Sequence, residues 1–319
     1  MARYLITGGA GFIGGHLAET LVKDGQEVVV LDNLATGKRE NLIPSQNGPG
    51  QLTFIEGDIR DLATCHRAME GVDYVLHQAA RPSVQRSVED PILSHDINLN
   101  GGLNVLVAAR DAKVRRFVSA SSSSVYGDRK DPFAPKREDM DMRPKSPYAA
   151  NKVAMEYYCR VFHQAYGLET VCLRYFNVFG PRQDPHSPYA AVIPKFIFAL
   201  LDGQRPLIFG DGRQSRDFTY VTNVVAANLA ACTAPGAPGL ALNVASGGSH
   251  DLLELLAILE RLIGVKAQPE FRPPRAGDVM ASLADLSLTK SVLGYGIGIG
   301  YEEGLAILVD LARQGRYLA

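Results

Sequence analysis

Through its first half the chain alternates short apolar runs with amphipathic stretches, the pattern of repeated strand–helix units that build a parallel sheet. Strands are predicted at Arg3–Thr7, Glu27–Leu31, Thr53–Glu56, Tyr74–His77, Arg116–Ala120 and Thr170–Arg174. Helices are predicted near Gly14–Asp24, Asp61–Met69, Asn98–Ala112 and Tyr148–Tyr166. The strand runs are continuously apolar, so both faces of the sheet are expected to lie under helices.

The punctuation then changes. From about Gly180 to Ser187 the chain carries Pro, Arg, Gln, Asp and His without periodicity, which reads as a functional loop. A helix follows at Ala191–Asp202, and Ala234–Gly239 is a Pro/Gly-rich connector. Helical periodicity returns at Asp251–Leu262, with Ser249 as its cap, and Arg272–Asp278 is a second basic, Pro-rich loop. This half is expected to form a smaller lobe over the carboxyl ends of the strands, where ligands of such sheets bind.

Composition narrows the partners. A length of 319 residues suits two domains, or one large domain with an appendage, and a formal net charge of −1 supplies no field for nucleic acid. The four cysteines, Cys65, Cys159, Cys172 and Cys232, are too scattered for a metal or redox site, so no metal is expected. No apolar run is long enough to span a bilayer and no leader precedes the first strand, which predicts a cytoplasmic protein without a membrane partner.

The first strand runs into Thr7-Gly8-Gly9-Ala10-Gly11-Phe12-Ile13-Gly14 and then a helix. Glycines there permit a tight turn, close approach of backbone to a pyrophosphate, and close helix–strand packing, while the helix N-terminus offers unpaired N–H groups to phosphate. Asp32, ending the second strand, can accept both ribose hydroxyls of NAD and repel the extra phosphate of NADP; nearby Lys38 is the one feature favouring NADP. Asp58 and Ile59 end the third strand, where the adenine would sit. The prediction is an α/β protein, a Rossmann-type doubly wound parallel sheet with a smaller α/β C-terminal substrate lobe. Residues 1–175, with part of 216–245, would bind NAD; 176–215 and 246–319 would bind substrate.

Tyr148 and Lys152, four apart on one helix, share a face. A phenol with a pKa of about 10 is a poor base at neutral pH, and an adjacent ammonium together with a cationic nicotinamide would lower it. A hydroxyl from the Ser121–Ser124 run could share the proton.

Joined in this order, these stretches resemble the extended short-chain dehydrogenase/reductases, and within them the UDP-hexose 4-epimerases. The similarity covers essentially the whole chain, through Thr7–Gly14, Leu31–Leu34, His77–Ala80, Ser121–Gly127, Tyr148–Lys152, Arg174–Asn177, Gly210–Gly212, Ser215–Phe218 and Ala284-Asp285. It implies that Ser122 is the catalytic serine beside Tyr148 and Lys152. It further implies cofactor contacts from Gly8, Gly11, Phe12, Ile13, Gly14, Asp32, Asn33, Asp58, Ile59, Gln78, Ala79, Ala80, Asn98, Tyr148, Lys152 and Tyr175.

On the substrate side, Arg216 and Arg275 are implied to grip a diphosphate, Phe209 to stack on uracil, Asp278 to hold ribose or orient Arg275, and Asn177 to donate to diphosphate or sugar. Ser83 is assigned to the sugar, in a stretch, Arg81-Pro82-Ser83, where relatives often carry lysine. Val192 lies in a segment resembling epimerases that prefer N-acetylated sugars. Ser282, a small residue where an aromatic would restrict the pocket, predicts that a 2-acetamido group is admitted. Related dehydratases place Asp-Glu where this chain has Ser123-Ser124, and UDP-glucuronate epimerases usually have threonine in place of Asn177.

The resemblance therefore implies NAD-dependent epimerisation at carbon 4 of a UDP-hexose through a 4-keto sugar. A net 4-keto reductase, another nucleotide-sugar epimerase, or a non-catalytic NAD(P)-sensing protein are the alternatives. It also implies a homodimer through the helices near Asn98–Ala112 and Tyr148–Tyr166.

Overall fold

The computed structural model describes residues 1–185, 191–274 and 279–318. Six strands lie where the apolar runs predict: β1 (Arg3–Thr7), β2 (Glu27–Asp32), β3 (Gln51–Glu56), β4 (Tyr74–His77), β5 (Arg116–Ser122) and β6 (Thr170–Tyr175). A seventh, Ala241–Val244, escapes the sequence reading because it is only four residues long and follows the Pro/Gly-rich connector. Together they form one sheet in the order Ala241–Val244, β6, β5, β4, β1, β2, β3, with every neighbouring pair parallel.

Burial follows position in the sheet. All six residues of β6, near the middle of its half, are buried, whereas the edge strand β3 alternates between exposed and half-buried positions. One apolar cluster joins the sheet to helices Phe12–Lys23 and Val221–Thr233 on one face. A second joins it to Leu62–Ala68, Gly102–Asp111 and Pro147–Tyr166 on the other. Burial on both faces is what the continuous apolar runs require.

A third cluster forms the core of the lobe, among helices Val192–Leu201, Leu252–Ile263 and Tyr301–Arg313. The helices Val221–Thr233, Ser287–Leu293 and Tyr301–Arg313 fall in stretches that the sequence pattern leaves unassigned. Two details of the reading are corrected. The cap of Leu252–Ile263 is Asp251, whose side chain accepts from the Glu254 N–H at 2.8 Å, while Ser249 donates instead to Ser215 Oγ. Arg272 belongs to a strand, Glu270–Arg272, paired in parallel with Leu207–Phe209.

The helix expected near Asn98 starts earlier, at Pro91, and is wound wider, with i→i+5 bonding, over Asp96–Gly101 before continuing as Gly102–Asp111. All four cysteines are buried thiols. Among the described residues no helix is long and apolar enough to cross a membrane, and no cluster of side chains suits a metal ion.

Strand order reverses between β1 and β4, so the chain leaves their carboxyl ends in opposite directions and opens a crevice there. Thr7 and His77 are register partners across that pair, and Thr7 Oγ1 lies 2.7 Å from His77 Nδ1.

Candidate active site

The crevice deepens into a cleft of about 1720 Å³ running from the glycine turn to the lobe. That exceeds the usual single small-molecule site of about 300–1,000 Å³, so a dinucleotide and a second ligand can share it.

At the dinucleotide end the chain must turn sharply after β1. Gly8 adopts φ +70°, and a Cβ there would stand 2.6 Å from the Ala79 nitrogen; a Cβ on Gly14 would overlap the Gly8 carbonyl oxygen. Only glycine lets the helix start so close to the strand; the Gly11 N–H closes the turn by donating to the Gly8 carbonyl at 3.1 Å, and Phe12 and Ile13 open the helix beside the cleft. Asp32 accepts from Ala10 N at 3.0 Å and Leu34 N at 2.8 Å, and burial raises its pKa.

Asn33 donates to Asp58 at 2.8 Å, while the Arg60 guanidinium holds Asp58 at a pKa of about 2. Ile59 is buried against Gly101. Lys38, the feature that could favour NADP, is paired to Asp184 at 3.5 Å across the mouth. A cradle that a Cβ would fill, a helix N-terminus and a carboxylate at the end of β2 together fit NAD.

Gln78, Ala79, Ala80 and Tyr175 line the next stretch. Tyr175, Gln78 and Asn228 form a closed set, with Asn228 Nδ2 donating to the Tyr175 hydroxyl at 2.8 Å and Gln78 Nε2 donating to Asn228 Oδ1 at 3.2 Å. Asn98 does not border the cleft. The wide helical turn points its amide behind the wall, where it accepts from the Arg81 N–H at 2.7 Å and donates to Ser94 Oγ at 3.3 Å.

The reactive end is assembled by β5 and the helix Pro147–Tyr166, which Ser146 caps by accepting from Ala149 N. Tyr148 and Lys152 face the cleft from its first two turns. The Tyr148 hydroxyl is hydrogen-bonded to Ser122; burial raises its pKa and that bond opposes the rise. Lys152 donates to the Ala120 carbonyl at 2.7 Å, and burial lowers its pKa to about 8. His77, buried nearby, is kept neutral by burial and the Lys152 charge, with a pKa of about 3.

Within the serine run the structure separates near neighbours. Ser121 turns away to donate to Glu156, which is locked in a buried ion pair with Arg174 at 2.7 Å. Ser122 faces Tyr148 and also accepts from the Ser124 N–H. Successive residues of a strand point to opposite faces, and that alone puts the two serines to different uses.

At the lobe end, Asn177, Arg216 and Ser282 line the cleft. Arg216 and Ser282 are register partners in a small three-stranded sheet, and Asn177 (φ +28°) donates to the Asp217 carbonyl at 3.3 Å. Three other expected residues sit back from it. Ser83 caps the helix Val84–Glu89 by accepting from Arg86 N, Val192 opens its helix just behind Ala191, and Phe209 ends the strand paired with Glu270–Arg272. Arg275 and Asp278 lie outside the described residues.

Several cleft residues carry no local sequence signal: Asn41, which donates to Ala10 O at 2.8 Å, Lys136, and Arg182. Only the aperiodic loop after Gly180 marked the neighbourhood of Arg182. Arg182 holds φ +68° and is buried, donating to Asn41 O at 3.0 Å and reaching His16 and Glu19 on the first helix.

Comparison with known proteins places the chain in a family. The sequence profile described as "NAD dependent epimerase/dehydratase family" matches residues 4–245. The UDP-glucose 4-epimerase of Mycolicibacterium smegmatis is 40% identical over 313 residues, covering 98% of each chain. A UDP-N-acetylglucosamine 4-epimerase from Methanobrevibacter ruminantium, solved with UDP-N-acetylmuramic acid, superposes with a TM-score of 0.92 at 39% identity over 98% of this chain and 99% of that one. The UDP-glucose 4-epimerase of Thermus thermophilus, solved with NAD, gives 0.87 at 40% identity over 98% and 99%. The chain belongs to the NAD dependent epimerase/dehydratase family, and it is an enzyme whose cofactor is NAD.

Proposed function

We propose that this enzyme inverts the hydroxyl at carbon 4 of a UDP-hexose, passing through a 4-keto sugar. One observation carries the reading: the dinucleotide cradle, the Ser122–Tyr148–Lys152 group and the Arg216–Ser282 wall all border one continuous cleft. The likeness to 4-epimerases over nearly the full chain supports it.

Bound NAD supplies the hydride acceptor and donor at its nicotinamide. The chain supplies the proton chemistry and the grip. Tyr148 Oη takes the proton from the sugar's O4 and later returns it, Ser122 shares that proton through its hydrogen bond, and the Lys152 charge favours the phenolate. Because Ser123 and Ser124 follow Ser122 beyond the end of β5, no carboxylate follows there to expel water, which favours epimerisation over dehydration.

In this reading residues 1–175 with part of 216–245 hold NAD, while 176–215 and 246–319 hold the nucleotide sugar. Arg216, with Arg275, binds diphosphate, and Asn177 assists. Small, buried Ser282 leaves room for a 2-acetamido group. Exposed Tyr157, Tyr158 and Val161 on the helix Pro147–Tyr166 support a homodimer through that helix. The enzyme would work in the cytoplasm.

The test is incubation of purified protein with UDP-glucose and, separately, UDP-N-acetylglucosamine, without added reductant, followed by anion-exchange or NMR analysis. Conversion to the 4-epimer, lost in Tyr148→Phe, is expected. Neither epimer forming despite bound NAD would sink the reading, and consumption of stoichiometric reductant would point to a net reductase.

A further inference from the structure

We propose that the sugar end of the cleft continues into a basic side pocket that receives a carboxylate carried on the hexose, next to its 2-substituent. The inference rests on the UDP-hexose reading and specifies which hexoses the site accepts.

The side pocket has a volume of about 290 Å³ and shares Gly127, Lys136, Val279 and Ala281 with the main cleft, so the two spaces adjoin. Its position is fixed by backbone pairing. Lys136 N donates to the Leu283 carbonyl at 2.7 Å and Asp285 N donates to the Lys136 carbonyl at 2.9 Å, which sets Lys136 beside the strand that carries Ser282. A substituent passing Ser282 therefore meets Lys136.

The chemistry of that wall is cationic and incompletely satisfied. Lys136 is 4% exposed, yet among the described residues its ammonium makes no ion pair; it donates to the carbonyls of Pro132 and Ala134 at 3.1 and 3.3 Å. An ammonium has three donors, so one remains beyond those two bonds. Arg129, across the pocket, gives one nitrogen to the Asp141 carbonyl, while its Nε is buried without an acceptor. The acid in the pocket, Asp128, is taken by Lys145.

Burial, then the Arg129 guanidinium, holds the Lys136 pKa below the lysine range, against weaker opposing effects of Asp131 and Asp128. A buried ammonium and a half-buried guanidinium whose Nε is buried, each with a spare donor and, among the described residues, no carboxylate of its own, leave an unmet demand for an anion. A neutral hydroxyl or acetamido group would answer the donors but leave the charge uncompensated. A carboxylate answers both.

Isothermal titration of the holoenzyme with UDP, UDP-N-acetylglucosamine and UDP-N-acetylmuramic acid, whose lactyl carboxylate adjoins the acetamido group, tests this. Lys136→Gln, which keeps an N–H donor but removes the charge, is expected to weaken the lactyl ligand about tenfold more than it weakens UDP-N-acetylglucosamine. Arg129→Gln, a change to a partly exposed side chain, is expected to shift the same ratio in the same direction and serves where Lys136→Gln fails to fold. Equal losses for both sugars, or exclusion of the lactyl ligand from wild type while UDP-N-acetylglucosamine binds, overturns the side-pocket assignment alone. Failure of UDP and UDP-N-acetylglucosamine to bind the wild-type holoenzyme overturns the nucleotide-sugar reading, and this inference with it.

Discussion

The ammonium of Lys152 does not bond the Tyr148 hydroxyl; it lies 5.9 Å from the centre of the phenol ring and donates at 2.7 Å to the Ala120 carbonyl. The route left to it for acting on Tyr148 is that of a fixed charge, held in place by the end of β5. Ser122 is the hydroxyl in direct contact.

This division of labour predicts different phenotypes. In the proposed mechanism Tyr148→Phe removes the acid–base group, and it is expected to lower kcat by about 10²–10⁴. Lys152→Met removes only the charge. Tyr148, raised by burial, is then left without its cationic neighbour, so the residual rate should climb with pH toward alkaline values. In wild type the Lys152 charge is present below about pH 8, so its profile should be flatter than the variant's there and the two should converge as pH rises through 8 and the charge is lost. Profiles of kcat/KM from acid to alkaline pH for both proteins check this; parallel profiles would refute it.

Ser282 is buried opposite Arg216 in the lobe's small sheet, so a larger side chain there has nowhere to go but the cleft. Ser282→Tyr is expected to cut turnover of UDP-N-acetylglucosamine about tenfold or more relative to UDP-glucose. Competition between the two sugars in one reaction gives the ratio directly.

Glu156 and Arg174 are both buried and pair at 2.7 Å beneath the serine run. Removing one partner strands the other charge in the interior. Glu156→Ala is expected to cost about 3–5 kcal/mol in chemical denaturation. Ser121→Ala, which removes one hydrogen bond to that carboxylate, should cost about 1–3 kcal/mol. Equal costs would mean the ion pair adds nothing beyond the serine's bond.

His16 lies on the cofactor-binding helix, with Nδ1 2.5 Å from the Arg182 guanidinium and Nε2 3.2 Å from the Pro181 carbonyl. Arg182 can only donate, so this histidine is neutral with its proton on Nε2. Burial and then Arg182 lower its pKa to about 4. Between about pH 6.5 and 4 the unfolded chain binds the proton and the folded one does not, so the contribution is present above 6.5 and lost as pH falls. Denaturation curves across that window should flatten in His16→Gln; an unchanged slope would count against the assignment.

The sequence by itself determined what short-range pattern can encode. The strand–helix alternation, the glycine turn into the first helix, Asp32 at the end of β2, and Tyr148 and Lys152 on one helical face all follow from local periodicity and backbone sterics. Each involves residues a few positions apart, whose relation is fixed once the element forms.

Tertiary structure decided the rest. Which serine meets Tyr148 depends on the face β5 presents once it is paired on both sides. Asn98, Ser83, Val192 and Phe209 stand back from the cleft because neighbouring elements take up their side chains or set their strand and helix positions. Arg182 reaches His16 across 166 residues, and Asn228 reaches Tyr175 across 53. Lys136, bridged to Ala284, becomes part of the cleft wall far in sequence from the glycine turn that opens it. Such contacts leave no periodic mark, since they depend on where two distant segments meet after the whole sheet and lobe have closed around them.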